Sequence, residues 1–146
     1  MKKLGLELGG NAPFIVFDDC TIDDAVKGAI GSKFRNSGQT CICANRILVQ
    51  EGVYDEFVSK FVKAVKNLKV SHGLEESCDI GPLINQAAVD NTQRLVEDAI
   101  SKGAHIECGG KPHSLGHYFY EPTVLTNLTR SMCVYTEECF APLAPM

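Results

Sequence analysis

Residues 53–68 constrain this chain more than any other stretch. Tyr54, Phe57, Val58, Phe61, Val62, Val65 and Leu68 recur at three- and four-residue spacing, beside a polar face of Asp55, Glu56, Lys60, Lys63 and Lys66. A helix with such a stripe must lay it on another apolar surface, and short apolar runs precede it. Pro13-Phe14-Ile15-Val16-Phe17 lacks polar alternation, as a buried parallel strand does, and Arg46-Ile47-Leu48-Val49-Gln50 is a second strand, followed by a turn at Glu51-Gly52. Between them a helix is expected, with Thr21 as its cap, Asp24 in its first turn, and Ile22, Ala25, Val26, Ala29, Ile30 and Phe34 on one face. Gly28 and Gly31 weaken that helix unless a neighbour packs closely on them.

A third helix is expected over residues 86–102, presenting Val89, Leu95, Val96, Ala99 and Ile100 and stopped by Gly103. Ala104-His105-Ile106-Glu107-Cys108 then reads as a strand ended by Gly109-Gly110. Tyr118 to Pro122 and Thr123 to Leu125 read as extended. Strands alternating with helices predict an α/β fold, a mainly parallel sheet with flanking helices. A chain of 146 residues, 45% hydrophobic, suits one domain rather than two.

Composition excludes several classes of function. A net charge of −4 without a run of Lys or Arg argues against a nucleic-acid surface or an anionic-membrane patch, and points to small-molecule partners. No apolar segment approaches the roughly 18–20 residues that span a bilayer, and the run after Met1-Lys2-Lys3 is broken by Glu7, so neither anchor nor signal peptide is expected. Seven scattered cysteines, an odd number, read as a reducing intracellular compartment rather than a disulfide framework. No metal site is expected, because there is no Cys-x-x-Cys pair and the four histidines do not complete ligand spacings. Gly-x-Gly-x-x-Gly and the P-loop pattern are missing, so any dinucleotide would be held mostly outside this chain.

Two segments carry chemistry. Arg35-Asn36-Ser37-Gly38-Gln39-Thr40-Cys41-Ile42-Cys43 offers a thiol on a glycine-containing turn, and Leu6-Glu7-Leu8-Gly9-Gly10 offers a carboxylate inside an apolar run. A thiolate adds to carbonyl carbon, and a carboxylate between two leucines is expected to sit in an apolar shell suited to proton exchange near neutral pH. The pair suggests acyl chemistry on a cysteine. By composition alone Cys41 is one of seven small thiols and Glu7 a solvated residue of an alternating strand.

The order and spacing of Leu6-Glu7-Leu8-Gly9-Gly10-Asn11, Phe34-Arg35-Asn36-Ser37-Gly38-Gln39-Thr40-Cys41, Gly81-Pro82-Leu83-Ile84 and Glu137-Glu138-Cys139-Phe140-Ala141-Pro142 resemble the aldehyde dehydrogenase superfamily over the whole chain. The residues around Cys41 look most like those of members that oxidise succinate semialdehyde. The resemblance implies part of a catalytic domain, with the cofactor domain and oligomerisation strands outside it. It implies NAD or NADP as cofactor, an aldehyde substrate, a homo-oligomeric intact enzyme, and a mitochondrial location in eukaryotes or a cytoplasmic one in bacteria.

Residue by residue, the resemblance makes Cys41 the nucleophile and Glu7 the base for the deacylating water. Leu8 and Phe140 would lie near the nicotinamide, Glu138 would bind its ribose hydroxyls, and Arg35 would hold a distal carboxylate of the substrate. Ala141 stands where the family usually has Gly; if positive φ is needed there, Ala costs stability and displaces Glu138. A reversible Cys41–Cys43 disulfide is implied for some relatives, although two residues apart in an extended chain is near the geometric limit for such a bond. Two other readings stay open: a non-catalytic fragment that associates through an exposed apolar sheet edge, and a cysteine esterase needing only Cys41 and Glu7.

Overall fold

The computed structural model describes residues 2–146, among which are nine α-helices and strands. They are β1 (Ala12–Val16), α1 (Ile22–Lys33), β2 (Ala44–Val49), α2 (Tyr54–Lys66), α3 (Gln86–Ser101), β3 (His105–Cys108), β4 (Thr123–Thr126), α4 (Cys133–Thr136) and β5 (Leu143–Pro145). β1 and β2 pair in parallel, as a strand–helix–strand crossover through α1 requires. β3, β4 and β5 form a second small sheet in which β4 lies between an antiparallel and a parallel neighbour. Two of the three ladders are therefore parallel. The antiparallel one arises because β3 and β4 are joined by a glycine-bent loop rather than a helix, with φ of 72° at Gly109 and 84° at Gly110.

The stripe of α2 does what its spacing demands. Phe57, Phe61 and Val65 are buried, the Phe57 and Phe61 rings stack at 5.5 Å, and Phe34 meets Phe61 at 6.1 Å. Each buried Phe contributes about 1.5–3 kcal/mol and each ring pair about 0.5–1.5 more. The same core takes in Val16 of β1, Ile47 of β2, Val124 of β4 and Ala144 of β5, so the two sheets share one apolar interior. A second cluster joins α3, through Val89, Leu95, Val96 and Ala99, to Tyr120, Met132, Val134 and Leu143.

Local readings hold with corrections, the first being β1: it pairs in parallel as expected, but of the run expected to be buried only Val16 is, and Ile15 and Phe17 are exposed. Thr21 occupies the first cap position of α1, yet its side chain makes no capping bond. Asn85 caps α3 instead, accepting from the Ala88 N–H at 2.9 Å. Ile100, expected on the apolar face of α3, is partly exposed. Gly28 is explained by the Phe14 ring, 3.4 Å from where a Cβ would stand, while nothing approaches Gly31. Of the segment Tyr118 to Pro122, only Tyr120 pairs, in an isolated bridge with Pro112. β5 and the short α4 were not expected from sequence.

Candidate active site

The turn that carries Cys41 is shaped by three consecutive left-handed residues: Asn36 (φ 50°), Ser37 (φ 57°) and Gly38 (φ 74°). The two that are not glycine each cost about 1–2 kcal/mol, so the surroundings must hold them. The Ser37 hydroxyl donates to the Gly81 carbonyl at 3.0 Å, and the Asn36 amide to the Gln39 carbonyl at 3.0 Å. The Gln39 amide donates to the Pro82 carbonyl at 3.3 Å and accepts from the Ile84 N–H at 2.9 Å. Gly81-Pro82-Leu83-Ile84 is thus the brace of the cysteine turn. Gly38 packs against the chain end of the same site: a Cβ there would lie 1.9 Å from the Ala141 carbonyl oxygen.

Gly9 and Gly10 fold onto this turn from the other side. A Cβ on Gly10 would stand 2.3 Å from the Cys41 carbonyl oxygen, and one on Gly9 would stand 2.6 Å from Glu138 Oε2. The Gly10 N–H donates to Glu138 Oε1 at 2.9 Å. Close approach to backbone requires glycine at position 10, while a side chain at position 9 would push the Glu138 carboxylate aside. Together these contacts enclose a cleft of about 460 Å³ whose walls include Cys41, Glu7, Leu8, Glu138 and Phe140. Cys41 is exposed in it.

Five of the seven residues singled out from sequence therefore line one cleft. Arg35 and Cys43 do not. Arg35 is exposed at the start of the left-handed turn, outside the cleft wall. Cys43 is buried, with its sulfur 2.8 Å from Thr40 Oγ1, while Cys41 faces solvent. The apolar shell expected around Glu7 is not formed: Leu6 and Leu8 are 73% and 71% exposed, and the segment has no strand structure. Ala141 is buried without positive φ among the described residues, so alanine is accommodated there and leaves Glu138 in place.

The structure adds residues that motif reading passed over. Lys33, at the inner end of α1, is completely buried and donates to Asn45 Oδ1 at 3.3 Å and to the Cys139 carbonyl at 3.1 Å. Its place was legible, because Val26, Ala29, Ile30 and Lys33 follow one helical face. Arg94 of α3 forms an ion pair with Glu137 and donates to Asn91 Oδ1 at 2.8 Å, tethering the residue before Glu138. That guanidinium holds the Glu137 carboxyl below its usual range. Burial pushes the Cys139 thiol up, against the opposing pull of Lys33.

The cleft brings together an exposed thiol, two carboxylates and an aromatic ring. Glu138 fits a vicinal diol: Oε1 is held by Gly10, while Oε2 lies over Gly9 at the cleft wall. Phe140 offers a half-exposed ring on the same wall, a face for a planar heterocycle. Among the described residues no group of His, Cys, Asp or Glu could hold a metal ion, and no helix is long and apolar enough to cross a membrane.

Comparison with known proteins gives the family and the fold. Residues 1–146 match the aldehyde dehydrogenase family. The chain is 62% identical, over its full length, to the mitochondrial succinate-semialdehyde dehydrogenase of Oryza sativa, and 53% identical to the NADP(+) succinate-semialdehyde dehydrogenase GabD of Escherichia coli. It spans 28% and 30% of those two proteins. The crystal structure of a succinate-semialdehyde dehydrogenase from Burkholderia pseudomallei superposes with a TM-score of 0.95 at 58% identity, over 99% of this chain and 30% of that one. The α/β fold and the family are thereby shown: this chain belongs to the aldehyde dehydrogenase family.

Proposed function

We propose that this chain carries the nucleophile-bearing half of an NAD(P)-dependent site that oxidises succinate semialdehyde to succinate. The observation that carries the reading is the convergence of Cys41, Glu7, Glu138 and Phe140 on one cleft. The Cys41 thiolate adds to the aldehyde carbon to form a thiohemiacetal, loss of hydride leaves a thioester on Cys41, and water hydrolyses it. Glu7 accepts the proton of that water, and Arg35, a forked cation near the turn, pairs with the distal carboxylate of the substrate as it enters. A nicotinamide dinucleotide, when bound, supplies the hydride acceptor. Glu138 holds its ribose hydroxyls, and Phe140 and Leu8 pack beside its ring.

Similarity to relatives named for succinate semialdehyde supports the substrate, and the NADP(+) in the name of the Escherichia coli protein supports a nicotinamide dinucleotide as cofactor. The Cys41–Cys43 redox pair belongs to the same proposal, and closing it requires the Thr40–Cys43 turn to open, because the two side chains face different environments. The test is NAD(P)H formation from succinate semialdehyde, with Cys41→Ala as control. Cysteine-dependent turnover supports the reading; reduced cofactor formed equally by Cys41→Ala refutes it.

One observation favours a second reading. Ile15 and Phe17 on and after β1 are 53% and 60% exposed, and with Leu48 of β2 they wall an apolar hollow of about 360 Å³. Such a face suits a chain that associates without catalysing, and sedimentation of the purified chain decides between a monomer and an assembly.

A further inference from the structure

Lys33 is the one cation placed wholly inside the described structure, and the ion pairs there leave it without a carboxylate partner. Removing an ammonium from water without an anion is unfavourable, and an apolar side chain of similar length would fill the space more stably. What Lys33 touches gives it a different use. Its two acceptors are Asn45 Oδ1 and the backbone carbonyl of Cys139. Asn45 is a junction: its Oδ1 also accepts from the Cys139 N–H at 3.2 Å, and its Nδ2 donates to the Gly10 carbonyl at 2.9 Å.

Three separate parts of the chain meet at this point. Gly10 belongs to the turn that seats Glu138, Cys139 follows Glu138 directly, and Asn45 lies in β2 just after the Cys41 turn. We infer that Lys33 and Asn45 form a buried positioning pair that holds the Glu138 backbone against the Gly9–Gly10 turn and so aims the carboxylate into the cleft. Asn45 sets the distance between the two strands of backbone through one donor and one acceptor. Lys33 binds the carbonyl and amide oxygens from beneath, and an apolar side chain of the same length cannot do so. The functional consequence rests on the proposed use of Glu138 as a ribose clamp, but the geometric claim does not.

The experiment compares the full chain with Lys33→Met and Asn45→Asp, reading backbone amide exchange by NMR and the affinity for nicotinamide mononucleotide by titration. Methionine keeps length and apolar volume while removing the charge and all three donors. With Lys33→Met, the Gly10 and Cys139 amides are expected to exchange at least tenfold faster, while the Phe57 and Leu95 amides keep their protection. Asn45→Asp keeps the acceptor and loses the donor, so Gly10 alone is expected to loosen. Unchanged Gly10 protection in a folded Lys33→Met chain overturns the inference; should that variant not fold, unchanged Gly10 protection in Asn45→Asp overturns it equally.

The titration separates this outcome from failure of the cofactor reading. Lys33→Met is expected to weaken nicotinamide mononucleotide binding about tenfold in the parent and not at all in an Glu138→Gln background. Additive losses in the double variant show that Lys33 does not act through Glu138 and refute the pair's positioning role. If the parent fails to bind the mononucleotide, or Glu138→Gln binds it as well as the parent, the ribose-clamp reading falls and amide exchange alone decides the geometric claim.

Discussion

Gly38→Ala is the substitution that most directly tests how the site is held together. Gly38 has φ of 74°, and its missing Cβ would lie 1.9 Å from the Ala141 carbonyl oxygen and 2.4 Å from its carbon. Alanine in the left-handed region costs about 1–2 kcal/mol. Because the obstacle is backbone on both sides, overpacking adds about 1–3 kcal/mol. The combined loss of about 2–5 kcal/mol is large against the roughly 5–15 kcal/mol that stabilises a domain, and lowers the melting temperature by about 5–15 °C. Gly31→Ala is the internal control: Gly31 sits in α1 with nothing within 4 Å of a new Cβ, so alanine there stabilises by about 0.5–1 kcal/mol. Urea unfolding of both variants beside the parent gives the two shifts in midpoint. A Gly38→Ala chain within about 1 kcal/mol of the parent would show that the Cys41 turn and the Ala141 segment are not in the close contact described, and the account of the cleft would fail with it.

Three further outcomes follow from the same geometry. Brief iodoacetamide treatment near pH 7.5 should label Cys41 first and Cys43 and Cys139 last, because Cys41 is exposed, the other two are buried, and burial also pushes the Cys139 thiol up; peptide mass spectrometry reads the order. Asp98, which pairs with Lys102 and accepts from the Cys133 N–H at 2.7 Å, and Glu137, paired with Arg94, both have carboxyls lowered by those partners. Their stabilisation is full above the ordinary carboxylate range and is lost as pH falls through the depressed folded values, so Asp98→Asn and Glu137→Gln should flatten acid unfolding below about pH 4. Phe57→Ala removes a fully buried ring from the stacked pair and should cost about 3–5 kcal/mol in equilibrium unfolding, and a loss under 1 kcal/mol would contradict the packing of α2 on the sheets.

Residues with local signals were legible before the fold was known. The α2 stripe, the α3 stripe with its stop at Gly103, and the apolar runs of β1 and β2 follow from spacing alone, because helix and strand periodicity is a property of a few neighbouring residues. The short β5 was not, since three residues ending in proline become a strand only by pairing with β4. The antiparallel course of β3 likewise depends on a loop bend, and the freedom of Ala141 from strain depends on a backbone angle that residue type does not reveal.

The candidate site divides in the same way. Cys41, Glu7, Glu138 and Phe140 were named from motifs, since reactive chemistry limits which side chains can serve. Motif spacing could not say that Arg35 and Cys43 stand apart from the cleft, or that Leu6 and Leu8 leave Glu7 open to water. Nor could it show that Lys33, although it follows the apolar face of α1, would reach Asn45 and the Cys139 carbonyl beneath the site. By itself the sequence determined the family, the alternation of elements and the residue types of the chemistry. Tertiary structure alone decided their convergence, because the bond from Gly10 to Glu138 joins residues 128 apart, and such a contact exists only after the core between them has closed.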